Sequence, residues 1–144
     1  MSKATVRSTA GMLVLALFAM FGATACQPEE HAQHALDLVN AERSASHLSP
    51  LAWDDESATK AQHWAEHMAA VFAISHSNLT DGITGNWTTL GENVGEGPGI
   101  DAVHNGFMNS AKHRAAILSG RYRSVGIGIA VNRGVVFIAE DFRG

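Results

Sequence analysis

The strongest constraint on the fold is a β-hairpin pattern near the C-terminus. From Val125 to Val131, apolar residues alternate with small or polar ones, as expected of a strand that buries one face. A turn sequence, Asn-Arg-Gly at 132–134, leads to a second apolar segment, 135–142, which we expect to return as the neighbouring strand. A sheet with an apolar face must pack against other elements. The hairpin therefore predicts a sheet covered by helices.

Upstream segments have the pattern of those helices. A first helix is expected over 30–46, a second after Asp54-Asp55, a third over 100–108 and a short helical turn over 113–118. Apolar or small residues recur in them every three or four positions, as in Ala58, Ala61, Ala65 and Met68 of the second helix. The predicted fold class is α+β, an antiparallel sheet with helices packed against it.

The first 25 residues have the pattern of an export signal. Lys3 and Arg7 precede an uncharged apolar stretch from Gly11 to Ala25. Its length corresponds to roughly 22 Å of helix, which is shorter than the roughly 30 Å hydrocarbon core of a bilayer. A signal peptide over 1–25 is therefore expected rather than a membrane-spanning helix.

The single cysteine follows this segment directly. Small residues at 23–25 precede Cys26, an arrangement that resembles the lipobox of bacterial lipoproteins, in which the cysteine is lipidated. We predict a lipid anchor at Cys26, a short tether over 26–30 and a single domain over 31–144, placed at the extracytoplasmic side of the cell envelope. Ordinary secretory cleavage, which would release a secreted protein with an unmodified thiol, is the alternative.

Charge and composition exclude several function classes. The formal net charge is −4, whereas binding to nucleic-acid backbones requires a basic surface. The glycine-rich segment 91–99 contains no lysine and two carboxylates, which would repel a phosphate, so nucleotide binding is not expected. With one cysteine, neither an internal disulfide nor a multi-cysteine zinc site is available.

The second predicted helix contains the string His63-Trp64-Ala65-Glu66-His67. Two histidines four residues apart project from one helix face and can bind zinc with the glutamate as base, which is the pattern of the inverzincin peptidases. The alternative is a polar, solvent-facing side of an alanine-rich helix. We favour this alternative because Ala61 and Ala65 already mark the buried face and the chain is much shorter than an inverzincin domain.

Four polar residues, His76, Glu92, Ser110 and His113, lie at predicted turns and element ends. His76, Glu92 and His113 are candidate ligands of an open zinc site. Ser110, His113 and Glu92 are instead candidates for a serine-hydrolase set, since Ser110 and His113 are three residues apart on a helix. In the simplest interpretation, Ser110 only caps the turn that carries His113.

A series of short motifs occurs in order over residues 31–142: Leu38-Val39-Asn40 with Arg43, Leu51-x-Trp53, His76-Ser77, Gly91-Glu92-Asn93, Phe107-Met108-Asn109-Ser110 with His113-Arg114, and Val125-Gly126-Ile127-Gly128. Together these motifs resemble the CAP superfamily, the cysteine-rich secretory, antigen 5 and pathogenesis-related proteins, whose domain is also called the SCP domain. The Asn-Ser-x-x-His-Arg form of the motif at 109–114 and the lack of cysteines in the domain are most similar to the compact bacterial members of the family. The resemblance implies an α-β-α sandwich.

The resemblance also implies a central cleft lined by two histidines and two acidic residues, which in several members binds zinc or other divalent cations. By motif, the histidines correspond to His76 and His113 and one acidic residue to Glu92. The second acidic position falls at Ser110, which leaves three candidate metal ligands instead of four.

The function implied by the resemblance is a membrane-anchored, extracytoplasmic binding module for a divalent metal or a small, lipidic ligand. The alternative is a zinc-dependent or serine hydrolase that uses the same cleft. In a third interpretation, Glu92 and Asn93 only hold loops in place by hydrogen-bonding buried backbone.

Overall fold

The computed structural model describes residues 28–144. The predicted signal peptide and the predicted lipidation of Cys26 lie outside the described residues. The first helix begins at Pro28, so the last three residues of the predicted tether belong to it. No helix in the described part of the chain is both long enough and apolar enough to cross a membrane.

Four helices and four strands make up the described residues. The helices are α1 (Pro28–Ala45), α2 (Asp55–Val71), α3 (Ile100–Asn109) and α4 (Ala111–Ile117). The strands are β1 (Ala52–Trp53), β2 (Leu90–Gly97), β3 (Ser124–Asn132) and β4 (Val135–Arg143). They form one sheet in the order β1-β3-β4-β2, so the predicted hairpin occupies its centre and β2 lies at one edge.

The sheet is mixed, which corrects the expectation of a purely antiparallel one. β3 and β4 pair antiparallel, as do β4 and β2, but β1 pairs parallel to β3 through Ala52 and Trp53. The sequence pattern did not indicate β1 because two residues are too few to show a period. It did not indicate β2 because glycine at 91, 95 and 97 hides the alternation.

Helices cover both faces of this sheet, so the α+β class and the α-β-α arrangement are confirmed. One apolar core joins α1, α3 and α4 to one face, with Val39, Phe107 and Ile117 packed around Ile127 and Ile138. A second core joins α2 to the other face. Its buried members are Ala61, Met68, Ala69, Val94, Phe137 and Ala139. Successive β4 residues therefore face different cores.

The expectation that β3 buries only one face is wrong. Gly126 and Gly128 are buried against α2, and a Cβ atom at either glycine would overlap the backbone of Ala58 or Ala61. Val131, expected on the buried face, is 60% exposed near the hairpin tip. The small residues of β3, which were expected to face solvent, thus pack against α2. Because they have no side chain, the helix can approach the sheet closely.

Two polar residues fix α1 to its neighbours. The Arg43 guanidinium is buried and donates hydrogen bonds to the carbonyl oxygens of Ser49, Ile117 and Ser119 at 2.8–2.9 Å. Asn40 exchanges two hydrogen bonds with the backbone of Leu51. These contacts hold the β1 and α4 ends against α1.

Candidate functional site

Edge strand β2 brings Glu92 and Asn93 to the two faces of the sheet. Glu92 is paired in register with Asp141 and Asn93 with Glu140, so each neighbouring pair of side chains shares a face. All four side chains are buried. The paired strands β2 and β4 therefore bury three carboxylates and one amide in an apolar fold.

Glu92 is fixed by the segment that follows α2. The helix ends at Phe72, which adopts the left-handed conformation and donates its backbone N–H to Met68 O. Further along, Glu92 Oε1 accepts hydrogen bonds from the Ser77 backbone N at 2.9 Å and from His76 Nδ1 at 2.7 Å. The Ser77 hydroxyl donates to Glu92 Oε2 at 2.5 Å. Both carboxylate oxygens are thus engaged by protein groups.

The His76–Glu92 contact has a direct chemical consequence. Because Nδ1 is bonded to the carboxylate, the ring nitrogen left for a ligand is Nε2. The His76 side chain is 46% exposed, while that of Glu92 is 1% exposed. A buried carboxylate behind an accessible imidazole is the arrangement by which proteins orient a metal-binding histidine.

His113 is in the first turn of α4, on the other side of the edge strand. Its ring meets Phe107 edge to face with centroids 5.1 Å apart, and its backbone carbonyl accepts a hydrogen bond from Asn93 Nδ2. Burial lowers the pKa of His113, and the nearby charges of His76 and Lys112 lower it further. The neutral imidazole, the form that binds metals, is therefore favoured.

A cleft of about 460 Å³ runs along the edge strand. Polar residues of its lining include His76, Glu92 and Lys112, and the apolar ones include Leu79, Ala116 and Tyr122. His113 does not line this cavity, but its helical neighbours Lys112 and Ala116 do. The cleft thus combines polar groups such as His76 with an apolar lining from Leu79, Tyr122 and Ala116 of α4.

The described residues contain candidate metal ligands but no assembled metal site. No group of three or more His, Cys, Asp or Glu side chains in residues 28–144 is arranged to hold a metal. Glu92, one of the three expected ligands, has its oxygens bonded to His76 and Ser77. Of the three expected ligands, the imidazoles of His76 and His113 therefore remain as candidates to hold a cation, with Glu92 orienting His76.

The serine-hydrolase set is not assembled in the described residues. Glu92 bonds to His76 rather than to His113, and no hydrogen bond joins Ser110 to His113. Ser110 lies between α3 and α4 at the N-cap position of α4, but its hydroxyl makes no capping hydrogen bond. The geometry of a nucleophile, a base and an orienting acid is therefore missing.

The string His63–His67 lies on the solvent-facing side of α2. His63, Glu66 and His67 are exposed, Glu66 accepts a hydrogen bond from Gln62, and His67 stacks on Trp64. The interpretation as a polar helix face, which the sequence favoured, agrees with this placement.

Sequence reasoning missed three buried charged residues next to the cleft. Lys60 points inward from α2, where its ammonium contacts Ser77 and Asp141, and Glu140 accepts a hydrogen bond from Asn93. Burial raises the pKa of Asp141 to about 6, with Lys60 opposing and Glu92 adding to that rise. A signal was present, because Lys60 lies within the small-residue stripe of α2 and two adjacent acids interrupt the apolar strand 135–142.

Comparison with known proteins gives matches that cover most of the described residues. The sequence profile described as "Cysteine-rich secretory protein family" (CAP) matches residues 36–140. Pathogenesis-related protein 1A of Nicotiana tabacum is 34% identical over 87 residues, which are 60% of this chain and 43% of that protein. The chain thus matches less than half the length of this relative.

Solved structures with the same fold include two bacterial proteins. An extracellular protein containing an SCP domain from Bacillus anthracis superposes with a TM-score of 0.71 at 26% identity, over 81% of this chain and 41% of that chain. An outer surface protein of Borrelia burgdorferi superposes with a TM-score of 0.69 at 18% identity, over 80% of this chain and 92% of that chain. The second comparison concerns the fold alone.

Proposed function

The chain belongs to the cysteine-rich secretory protein (CAP) family, and we propose that it is an extracytoplasmic binding module that holds a divalent cation beside the edge strand β2, with His76 of the cleft and His113 of α4 as its ligands. The observation that carries the proposal is the 2.7 Å hydrogen bond between His76 Nδ1 and the buried Glu92 carboxylate. It fixes the ring and presents Nε2, and a ligating histidine with a carboxylate partner is the usual design of metal sites.

The chemistry of the two imidazoles sets the class of cation. Neutral imidazole nitrogens suit zinc and similar transition metals, whereas calcium and magnesium prefer oxygen ligands. Burial favours the neutral form of His113 by lowering its pKa. With two protein ligands, the site is expected to bind zinc more weakly than a structural site with four.

Zinc titration by calorimetry tests this proposal. The wild-type protein is compared with His76→Ala, His113→Ala and, as a matched control, His63→Ala on the exposed face of α2. Binding is expected in the wild type and in the control and is expected to be lost in the other two variants. Glu92→Gln should weaken binding about tenfold or more without abolishing it, because Glu92 orients a ligand and is not one itself.

Two results of the zinc titration would contradict the metal proposal and direct attention to another ligand of the cleft. If wild-type protein binds no zinc, or if all three alanine variants bind it equally, the metal proposal is wrong. A small, lipidic ligand against Leu79, Ala116 and Tyr122 then becomes the hypothesis for the same cleft.

We also propose that a lipid on Cys26 holds the module at the membrane, on the basis of the small residues that precede this cysteine. Cys26→Ser is expected to move the full-length protein from the detergent phase to the aqueous or secreted fraction. Phase partitioning with a membrane lipoprotein and a secreted protein as markers measures the change. Unchanged partitioning would contradict the anchor.

A further inference from the structure

A buried ammonium group lies beside the carboxylates of the cleft. Lys60 Nζ is 2.8 Å from Asp141 Oδ1, 2.5 Å from the Ser77 hydroxyl and 3.5 Å from Glu92 Oε2. The side chains of Lys60, Glu92 and Asp141 are 7%, 1% and 6% exposed. The ammonium thus occupies the place among oxygen atoms that a bound cation would take.

These oxygens belong to rigid neighbours. Glu92 and Asp141 face each other in register on β2 and β4, and the Ser77 hydroxyl bridges Lys60 and Glu92. Asp141 Oδ2 is buried and has no hydrogen-bond partner in the described residues. The single positive charge of Lys60 therefore faces the two carboxylates of Glu92 and Asp141, and Asp141 Oδ2 has no hydrogen-bond partner among the described residues.

Hard divalent cations such as calcium, magnesium and manganese bind to sets of carboxylate and hydroxyl oxygens of this kind. An ammonium at hydrogen-bonding distance repels such an ion, and it fills the same space. Removing the ammonium would leave two facing carboxylates without a counter-ion in a buried site, where unpaired charge is strongly unfavourable.

We infer that Lys60 is a built-in cation that excludes hard divalent metals from the space between Glu92 and Asp141, next to the cleft, and so determines which metals this region accepts. Metal binding is then confined to the imidazole side, a part of the inference that rests on the proposed function. The exclusion itself does not rest on it, because it concerns only Lys60 and the oxygens around it.

The test is direct binding of Mn²⁺ to full-length protein in detergent, followed by the electron paramagnetic resonance signal of free Mn²⁺. Lys60→Met keeps the side-chain length and removes the charge. Mn²⁺ is expected to bind this variant at least about tenfold more tightly than wild type. Arg123→Met, which removes a positive charge from an exposed position outside the lining of the cleft, is the matched control and should bind no better than wild type.

Two further variants keep the inference falsifiable. Lys60→Gln lacks the charge but retains donors for Asp141 and Ser77, and it should also gain Mn²⁺ binding. In the double variant Lys60→Met with Asp141→Asn, the gain should disappear, because an oxygen ligand has been neutralised. If the Lys60 variants do not fold alone, Mn²⁺ is expected to restore their folding, since the ion replaces the ammonium.

The inference is overturned if wild-type protein binds Mn²⁺ as tightly as Lys60→Met. It is equally overturned if folded Lys60 variants gain no binding, or if unfolded ones are not rescued by the ion. These results are independent of the zinc titration of wild-type protein. Loss of the proposed zinc site and loss of the role of Lys60 are therefore distinguishable.

Discussion

The buried acid Glu140 makes the stability of the fold depend on pH. Its side chain is 2% exposed on β4, where Asn93 Nδ2 donates a hydrogen bond to Oε2 at 3.0 Å. Burial raises the pKa of this carboxyl from its ordinary value of 4.5 to about 7, and the hydrogen bond from Asn93 opposes the rise without cancelling it. The folded protein thus keeps a proton that the unfolded chain loses.

The sign and size of the effect follow from this difference. Between about pH 4.5 and pH 7 the unfolded chain releases the Glu140 proton first, so the free energy of unfolding falls as the pH rises. At about 1.4 kcal/mol for each pH unit, the loss reaches about 3 kcal/mol above pH 7. Below about pH 4.5 both states are protonated and the group has little effect.

Glu140→Gln removes the ionisable carboxyl and keeps an oxygen to accept the hydrogen bond from Asn93. At each pH we compare the free energy of unfolding of the variant with that of wild type. The difference, variant minus wild type, is expected to increase by about 3 kcal/mol from pH 4 to pH 8. Urea unfolding followed by tryptophan fluorescence at pH 4, 6 and 8 measures this difference. The contribution of Asp141, which lies on the other face of β4, is common to both proteins and cancels.

The matched control is Glu96→Gln, an exposed glutamate on β2. Because this side chain is exposed, the substitution removes a glutamate from the same sheet without touching a buried carboxyl, and it should not reproduce the change expected of Glu140→Gln. A stability difference for Glu140→Gln that is the same at all three pH values would refute the reasoning. It would mean that the pKa of Glu140 is the same in the folded protein as in the unfolded chain.

Two other substitutions test the packing of the fold. His104 is buried, and neither ring nitrogen has a hydrogen-bond partner in residues 28–144. Burial lowers the pKa of His104, so the unfolded chain takes up a proton that the folded protein does not, and the free energy of unfolding should fall as the pH falls through the ordinary value of 6.5. His104→Leu is therefore expected to raise Tm, more at pH 5 than at pH 8, in scanning calorimetry; an equal shift at both would contradict this. Gly126→Ala should cost about 3 kcal/mol in urea unfolding, because its Cβ would overlap the α2 backbone, whereas Gly120→Ala meets no atom within 4 Å and should be nearly neutral. Equal stability of the two alanine variants would show that α2 can move away from the sheet.

Local patterns were sufficient for most of the fold. Helices α1 and α3 and the β3–β4 hairpin appear within one or two residues of the predicted ranges. Helix α2 begins where it was predicted to begin, and Asp54 caps it by accepting a hydrogen bond from Ser57 N. The motifs that resemble the CAP family identified the same layered arrangement. These features could be predicted because each depends on residues close together in sequence, where the spacing of apolar side chains records the geometry directly.

The site depended on contacts that no local pattern records. The sequence alone determined the helices, the hairpin and the candidates His76, Glu92 and His113. The tertiary structure decided that Glu92 supports His76 from a buried position and that Lys60 reaches Asp141, 81 residues away. A charged residue within a helix stripe looks the same in sequence whether its partner is water or a distant carboxylate. Folding removes water from Lys60 and pairs β2 with β4, and this decides that the partner of Lys60 is a carboxylate and not water.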